Sequence, residues 1–315
     1  MTGVVYKSTG SWYHVKDTQG TLIPCRIKGK FRIEGLTSTN PVAVGDIVDV
    51  SIKETQDGTQ GVITHIHERK NYIVRKSVNL SKQIHIIAAN IDRAFLLVTI
   101  NNPPTYPAFI DRFLATAEAY DIETILLFNK EDVYSKEETE QMHQLRDLYT
   151  AIGYTCVEIS ALQGTNLDKV KHWMTGKTCM LSGHSGVGKS TLVNSLAPGL
   201  EIKTAAISSQ HQQGQHTTTF AEMHDLDFDA RIVDTPGIRG FGVVNMEKEE
   251  IGDYFREFFS RKDHCKFNNC LHLDEPKCAI KEGVANEEIA ASRYKSYVQM
   301  LEGEDQHYRT DFWDS

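Results

Sequence analysis

The stretch Gly-His-Ser-Gly-Val-Gly-Lys-Ser-Thr at 183–191 constrains this chain more than any other. It fits G-x-x-x-x-G-K-[ST], in which glycines let backbone N–H groups close on phosphate oxygens. That pattern carries meaning only where a strand enters it and a helix leaves it. Here the apolar run Thr178–Leu181 precedes it, and Leu192–Leu196 follows as a helical run. Gly183, His184, Ser185, Gly186, Val187 and Gly188 then form the loop, and Lys189, Ser190 and Thr191 open the helix. The helix N-terminus adds a positive dipole end. Lys189 is expected to reach the outer phosphates, and Ser190 to offer its hydroxyl to Mg²⁺.

Three further motifs select the nucleotide. Asp234-Thr-Pro-Gly237 follows the run Arg231–Val233. Asp234 is expected to act on Mg²⁺ through water, and the Gly237 N–H to sense the γ-phosphate. Asn129-Lys130-Glu131-Asp132 follows Thr124–Phe128. In this N-K-x-D pattern Asp132 accepts from the guanine N1–H and exocyclic amine, while Asn129 and Lys130 hold the loop and the base. Adenine lacks that donor pair and would leave a carboxylate unpaired, so discrimination on the order of 10⁴ is expected. Ser160-Ala161, after Cys156–Ile159, supplies a backbone contact to the guanine carbonyl. Each motif alone is a short word, and N-K-x-D alone reads equally as a polar strand-to-helix turn. All four directly after strands point to GTP.

Their order is rearranged. In most GTPases the phosphate loop comes first and N-K-x-D and S-A come last. Here N-K-x-D (129–132) and S-A (160–161) precede the phosphate loop, then Thr217–Thr219, then D-T-P-G (234–237). The domain is therefore circularly permuted: the strand set is kept and the chain is cut elsewhere. The segment after D-T-P-G then leaves directly for the C-terminal region, which offers a mechanical link between a switch and another domain.

The flanks read differently. Residues 1–71 carry short β-like runs with glycine turns, which read as a small five-stranded barrel. Its size suits an oligonucleotide-binding barrel, although composition does not separate that from another small barrel. Residues 1–85 hold 12 Lys/Arg against 7 Asp/Glu, whereas 86–315 hold 22 against 35, for a net charge of −8. A basic third on an acidic protein suggests that this third meets a polyanion. Arg26, Lys28 and Lys30 alternate within Leu22–Phe31, and Arg32 continues the alternation just after it. From Ile84 the chain alternates buried strand runs (Phe95–Ile100, Thr124–Phe128) with helix (Phe109–Tyr120), as in an α/β domain with a mostly parallel sheet. After about residue 243 come charged helix, a Cys/His cluster and a helix over Asn286–Leu301. Cys265-x4-Cys270-x-His272-x5-Cys278 offers three thiolates and one imidazole within 14 residues. Such a set suits tetrahedral Zn²⁺ in a closed structural site, not a catalytic one. Cys25, Cys156 and Cys179 read as small buried cysteines.

The expected domains are 1–71, barrel; 72–243, circularly permuted GTPase; and 244–315, helical and zinc-binding. No apolar run approaches the roughly 20 residues of a membrane span. The N-terminus lacks a charged start followed by an apolar stretch. A cytoplasmic monomer without a membrane partner is expected.

With these motifs in place the chain resembles the RsgA (YjeQ/YloQ) family of circularly permuted GTPases. The likeness covers nearly the whole length: basic barrel, Ala89-Asn90-Ile-Asp92, N-K-x-D, G-x-S-G-V-G-K-S, H-T-T-T, D-T-P-G and C-x4-C-x-H-x5-C. It implies an OB-type barrel, a C-terminal zinc domain, a role in late maturation of the small ribosomal subunit, contact with its rRNA, and GTP hydrolysis stimulated by that subunit.

Hydrolysis needs a group that orients water. In Ras-like enzymes a glutamine after D-x-x-G does this. Here that position is Ile238, so slow unassisted turnover is expected. His216, in the segment before Thr217–Thr219, is the candidate replacement. Thr218 is the favoured Mg²⁺ ligand of the three threonines. Gly186 stands where a potassium-binding asparagine would sit, so no potassium is assumed. Two other functions are open: a regulatory GTPase acting on a protein partner, and an RNA-binding module that holds GTP without hydrolysing it. The basic residues 1–85 weigh against the first, and Lys189, Ser190 and Asp234 against the second.

Overall fold

The computed structural model describes residues 1–9, 11–27, 41–55, 58–76, 84–200, 221–234 and 246–303. Its first five strands are β1 (Thr2–Ser8), β2 (Tyr13–Asp17), β3 (Leu22–Ile27), β4 (Ile47–Thr55) and β5 (Gly58–Ile66). β1 pairs with β2, β2 with β3, β3 with β5 in parallel, β5 with β4, and β4 returns to β1. This closed circuit is a five-stranded barrel, as the sequence predicts. Val5, Tyr13, Val15, Cys25, Val48, Val50 and Ile63 fill its interior. Period-two alternation turns the residues between them outward.

A hairpin of β6 (Tyr72–Lys76) and β7 (Ile84–Ala89) leads into the second domain. The sheet there runs β10-β9-β8-β11-β13-β12, from β8 (Arg93–Val98), β9 (Glu123–Asn129), β10 (Thr155–Ile159), β11 (Thr178–Ser182), β12 (Glu222–Leu226) and β13 (Ala230–Asp234). All neighbours are parallel except β12 with β13. Each apolar run serves two cores. Leu96, Val98, Leu126 and Phe128 face α1 (Pro107–Ala119) and α2 (Lys136–Ile152). Phe95, Leu97, Ile125 and Leu127 face α3 (Leu167–Met174) and α4 (Lys189–Leu196). That double burial is why these strands read as unbroken apolar runs.

The barrel sheet continues into this one through β1 and β12, where Lys7 lies opposite Glu222. Their side chains pair at 2.7 Å, and the Tyr6 hydroxyl donates to Asp225 at 2.6 Å. A second join lies at Ala89-Asn90-Ile91-Asp92. The Asn90 amide donates to the Gly45 carbonyl at 2.9 Å, and the Asp92 carboxylate accepts from the Thr178 N–H at 2.8 Å. Gly45 has φ of +91°, and a Cβ there would lie 2.0 Å from the Ala89 oxygen, so only glycine admits this contact.

The C-terminal unit holds α5 (Lys248–Ile251), α6 (Arg256–Phe259), α7 (Ala279–Ala285) and α8 (Ala291–Glu302). The helix expected over Asn286–Leu301 is present but starts only at Ala291: Glu287 has φ of +61°, and 286–290 form turn and bend instead of a first helical turn. Arg293 on α8 is 1% exposed and pairs with Asp111 of α1 at 2.8 Å and Glu257 of α6 at 2.6 Å. Asp111 also accepts from the Tyr149 hydroxyl on α2 at 2.7 Å. Arg256 donates to Glu118 and to the Gly153 carbonyl, each at 2.7 Å, and lies over the Tyr154 ring. The unit is thus held on the α1/α2 face of the parallel sheet.

Candidate nucleotide site and metal centre

Three loops meet at the C-terminal ends of β9, β10 and β11, the edge where ligands of parallel α/β sheets bind. The loop after β11 needs its glycines. Gly183, Gly186 and Gly188 have φ of +137°, +86° and +102°. A Cβ on Gly183 would sit 2.8 Å from the Leu97 carbonyl, and one on Gly188 would sit 2.3 Å from the Asn129 amide nitrogen. The second collision identifies the organising residue. Asn129 is 2% exposed; its amide donates to the Val187 carbonyl at 2.7 Å and accepts from the Ala161 N–H at 2.9 Å. One side chain therefore ties the N-K-x-D, S-A and phosphate loops together.

Its neighbours extend the tie. The Ser195 hydroxyl on α4 donates to the Ala161 carbonyl at 2.7 Å. The Tyr134 hydroxyl donates to the Asn129 carbonyl at 2.6 Å and accepts from the Ile100 N–H at 3.0 Å. Neither Ser195 nor Tyr134 is in the sequence reading, because no short motif includes them. Lys130 has φ of +72° and its ammonium donates to the Asn102 carbonyl. Asp132 lies in the short 3₁₀ turn Glu131–Val133, half-buried beside that loop. Ser160 is fully buried, and its hydroxyl accepts from the Gln163 N–H at 3.0 Å. Since the Ala161 N–H is engaged by Asn129, a base carbonyl would share that donor.

On the phosphate side, Val187 is buried while Ser185 and Gly186 are exposed at the loop crown. The His184 ring stacks on Phe109 with centroids 4.0 Å apart. Lys189, Ser190 and Thr191 form the first turn of α4, as predicted. The Lys189 ammonium donates to the Gly183 and His184 carbonyls, both at 2.7 Å. Burial lowers its pKa to about 8, with Asp234 opposing. Asp234 ends β13; burial pushes its carboxyl up, and Glu222 adds to this while His224 and Lys189 oppose it. A half-buried cation and carboxylate at the mouth of a glycine loop suit a polyphosphate and its counter-ion. Ser190 and Asp234 are hard oxygen donors of the kind Mg²⁺ takes. His216, Thr217, Thr218, Thr219, Gly237 and Ile238 lie outside the described residues, as do Lys28, Lys30 and Arg32.

The second centre gathers Cys265, Cys270, His272 and Cys278, whose ligand atoms all lie within 4.8 Å of one another. The Cys265 and Cys278 sulfurs are 4.0 Å apart, too far for a disulfide, and His272 Nδ1 lies 3.3 Å from Cys278 Sγ. Ligands about 2.3 Å (sulfur) and 2.0 Å (nitrogen) from a common tetrahedral centre would show such separations. Burial first, then the neighbouring Cys278 and Cys265 sulfurs, push the Cys270 thiol up to about 12, against a backbone hydrogen bond at His272. Three thiolates there call for a cation, and the donor set fits one. The shell around them is built. Tyr294 and Tyr297 donate to the His272 and Leu271 carbonyls at 2.7 and 2.8 Å, and Glu275 accepts from the Leu271 and Leu273 N–H groups, both at 2.8 Å. Such partners fix ligand orientation. Among the described residues no helix is long and apolar enough to cross a membrane.

Residues 66–244 match the family described as RsgA GTPase, and residues 2–62 the one described as RsgA N-terminal domain. The chain is 64% identical over 313 residues to a small ribosomal subunit biogenesis GTPase RsgA of Flavobacterium johnsoniae, covering 99% of this chain and 96% of that one. A protein of the same description from Christiangramia forsetii is 64% identical over 311 residues, covering 99% of each. The crystal structure of YjeQ from Thermotoga maritima superposes with a TM-score of 0.77 at 34% identity, covering 96% of this chain and 97% of that one.

Proposed function

The chain belongs to the RsgA family of GTPases, and from that premise we propose that it binds the small ribosomal subunit, contacts its rRNA, and hydrolyses GTP when seated there. The observation that carries the nucleotide half is Asn129, which joins the two base loops to the phosphate loop. In the proposed mode Asp132 accepts from guanine, Asn129 and Lys130 hold the base loop, and Ser160-Ala161 lines the far side. The N–H groups of Gly183–Thr191 and the Lys189 ammonium take the phosphates. Mg²⁺ would be held by Ser190 and Thr218, and by Asp234 through water; when bound it neutralises charge on the outer phosphates. The Gly237 N–H senses the γ-phosphate, and His216 orients the attacking water.

The subunit half is supported by the names of the two relatives above and by the basic residues 1–85. The metal centre takes one Zn²⁺ and is structural, because four protein ligands leave no open position. A cytoplasmic location follows from a ribosomal partner. The deciding experiment is steady-state GTP turnover with and without purified small subunits. Marked stimulation is expected; turnover indifferent to small subunits overturns the subunit half and leaves a regulatory GTPase.

A further inference from the structure

We propose that Glu222 is a positioning residue for the Mg²⁺ of the nucleotide site, and that Lys7 of the barrel sets how much of its charge the metal feels. This rests on the reading of Ser190 and Asp234 as the Mg²⁺ site and adds a residue to it. The observation is a row of charges along one rung of the continuous sheet. Lys7 on β1 lies opposite Glu222 on β12, and Glu222 lies opposite Asp234 on β13. Directly opposed residues share a face of a sheet. The Lys7 ammonium meets the Glu222 carboxylate at 2.7 Å. Asp234 lies one strand spacing further on, about 5 Å at the backbone. Beyond it stands the Lys189 ammonium, which feels the Asp234 charge. The row therefore runs cation, anion, anion, cation, from the barrel to the phosphate loop.

The two like charges in the middle are the anomaly. Carboxylates directly opposite each other across an antiparallel pair repel and weaken it. The same hairpin shows the ordinary arrangement three residues on: Asp225 lies opposite Arg231, with their charged groups 3.8 Å apart. Glu222 instead faces the acid that ends β13 at the mouth of the glycine loop. Nor is its pair with Lys7 needed as a fastener. The two side chains are 35% and 39% exposed, and exposed ion pairs contribute little. The barrel is held to β12 on the opposite face, where Asp225 takes the Tyr6 hydroxyl and the Lys16 ammonium. Burial holds the Asp234 carboxyl above its usual range; His224 and Lys189 pull it down and Glu222 pushes it up, so the Glu222 charge is felt there. A divalent cation held at Asp234 feels that charge with the opposite sign and twice the strength. Glu222 thus destabilises the empty site and stabilises the filled one. Lys7, which neutralises Glu222 from the barrel side, tempers both effects.

The test uses the full chain loaded with a fluorescent GDP and titrated with Mg²⁺. The nucleotide release rate against free Mg²⁺ gives the half-saturating metal concentration, and GDP affinity in excess EDTA gives the metal-free reference. Glu222→Gln should raise half-saturating Mg²⁺ about three- to tenfold, one partly screened charge acting on a divalent ion, while metal-free GDP affinity does not fall. Lys7→Met should lower half-saturating Mg²⁺ about two- to fivefold, and that gain should shrink in the Glu222→Gln background. The swap of Lys7→Glu with Glu222→Lys separates charge from fastening. It restores the ion pair but sets a cation opposite Asp234, so its Mg²⁺ requirement should exceed that of Glu222→Gln. Melting temperatures report that the variants fold. Wild-type Mg²⁺ dependence in Glu222→Gln, or in the swap, overturns the proposal and leaves the pair as an interdomain fastener. Asp234→Asn is the control for the site itself and should raise the Mg²⁺ requirement by more than Glu222→Gln. If release from Asp234→Asn depends on Mg²⁺ as in wild type, the Mg²⁺ reading fails, and this proposal with it.

Discussion

Asn129 and Asp132 sit three residues apart in one motif and do different work. Asn129 is buried and bonds two other loops, so its amide is structural before any nucleotide arrives. Removing it strands the Val187 carbonyl and the Ala161 N–H, each at about 1–3 kcal/mol. Asn129→Ala should therefore lower unfolding stability and nucleotide affinity together, as read by urea titration and GDP titration. Asp132 lies in a half-buried turn and is proposed to face the base. Asp132→Asn should leave stability unchanged and move preference from guanine toward xanthine nucleotides. Unchanged GTP affinity in that variant would contradict the base contact. Gly188→Ala joins both lessons. A side chain at φ +102°, 2.3 Å from the Asn129 amide, should displace Asn129 and abolish GDP binding, in a protein whose circular dichroism stays close to wild type.

At the scale of elements, what could be read in the sequence followed from how locally each cause acts. The strands of the parallel sheet were legible because both their faces are buried, which leaves continuous apolar runs. The cysteine cluster was legible because its four ligands fall within one short segment. Helix α2 was not, because only Met142 and Tyr149 of its residues are fully buried and its pattern reads as polar chain. Strand β12 was not, because Glu-Met-His-Asp-Leu alternates over too few residues to stand out. The seam at Arg293 was out of reach: a lone arginine in a charged helix reads as surface, and its partner Asp111 is 182 residues away. Two outcomes test these elements. Arg293→Ala leaves two carboxylates in a buried seam and should cost about 3–5 kcal/mol in chemical unfolding. Chelation, or Cys270→Ser, should melt the C-terminal unit selectively, since a structural metal couples binding to folding. Metal analysis of reduced protein should give about one zinc per chain; none would remove the centre from the account.

One continuous sheet joins the five-stranded barrel to the GTPase domain. Strand β1 of the barrel pairs with β12, whose first residue Glu222 lies opposite both Lys7 of the barrel and Asp234 of the nucleotide site. The chain enters β12 directly from the segment that carries His216–Thr219. A partner seated on the barrel is therefore one strand away from the proposed switch. Ile238 denies the site its usual water-orienting glutamine, so turnover alone should be slow, roughly 10⁻⁴ to 10⁻² s⁻¹ as in unassisted GTPases. Small subunits should raise it by orders of magnitude. If the barrel meets rRNA phosphates, as proposed, that stimulation should fall steeply as salt rises. If His216 orients the water, His216→Ala should cut stimulated turnover far more than GTP affinity, the signature of a group that acts in the transition state. Stopped-flow single turnovers at saturating small subunits separate these two quantities. Full stimulation in His216→Ala would remove His216 from the mechanism while leaving the sheet connection intact. Stimulation that ignores salt would place the activating contact away from the barrel's basic surface.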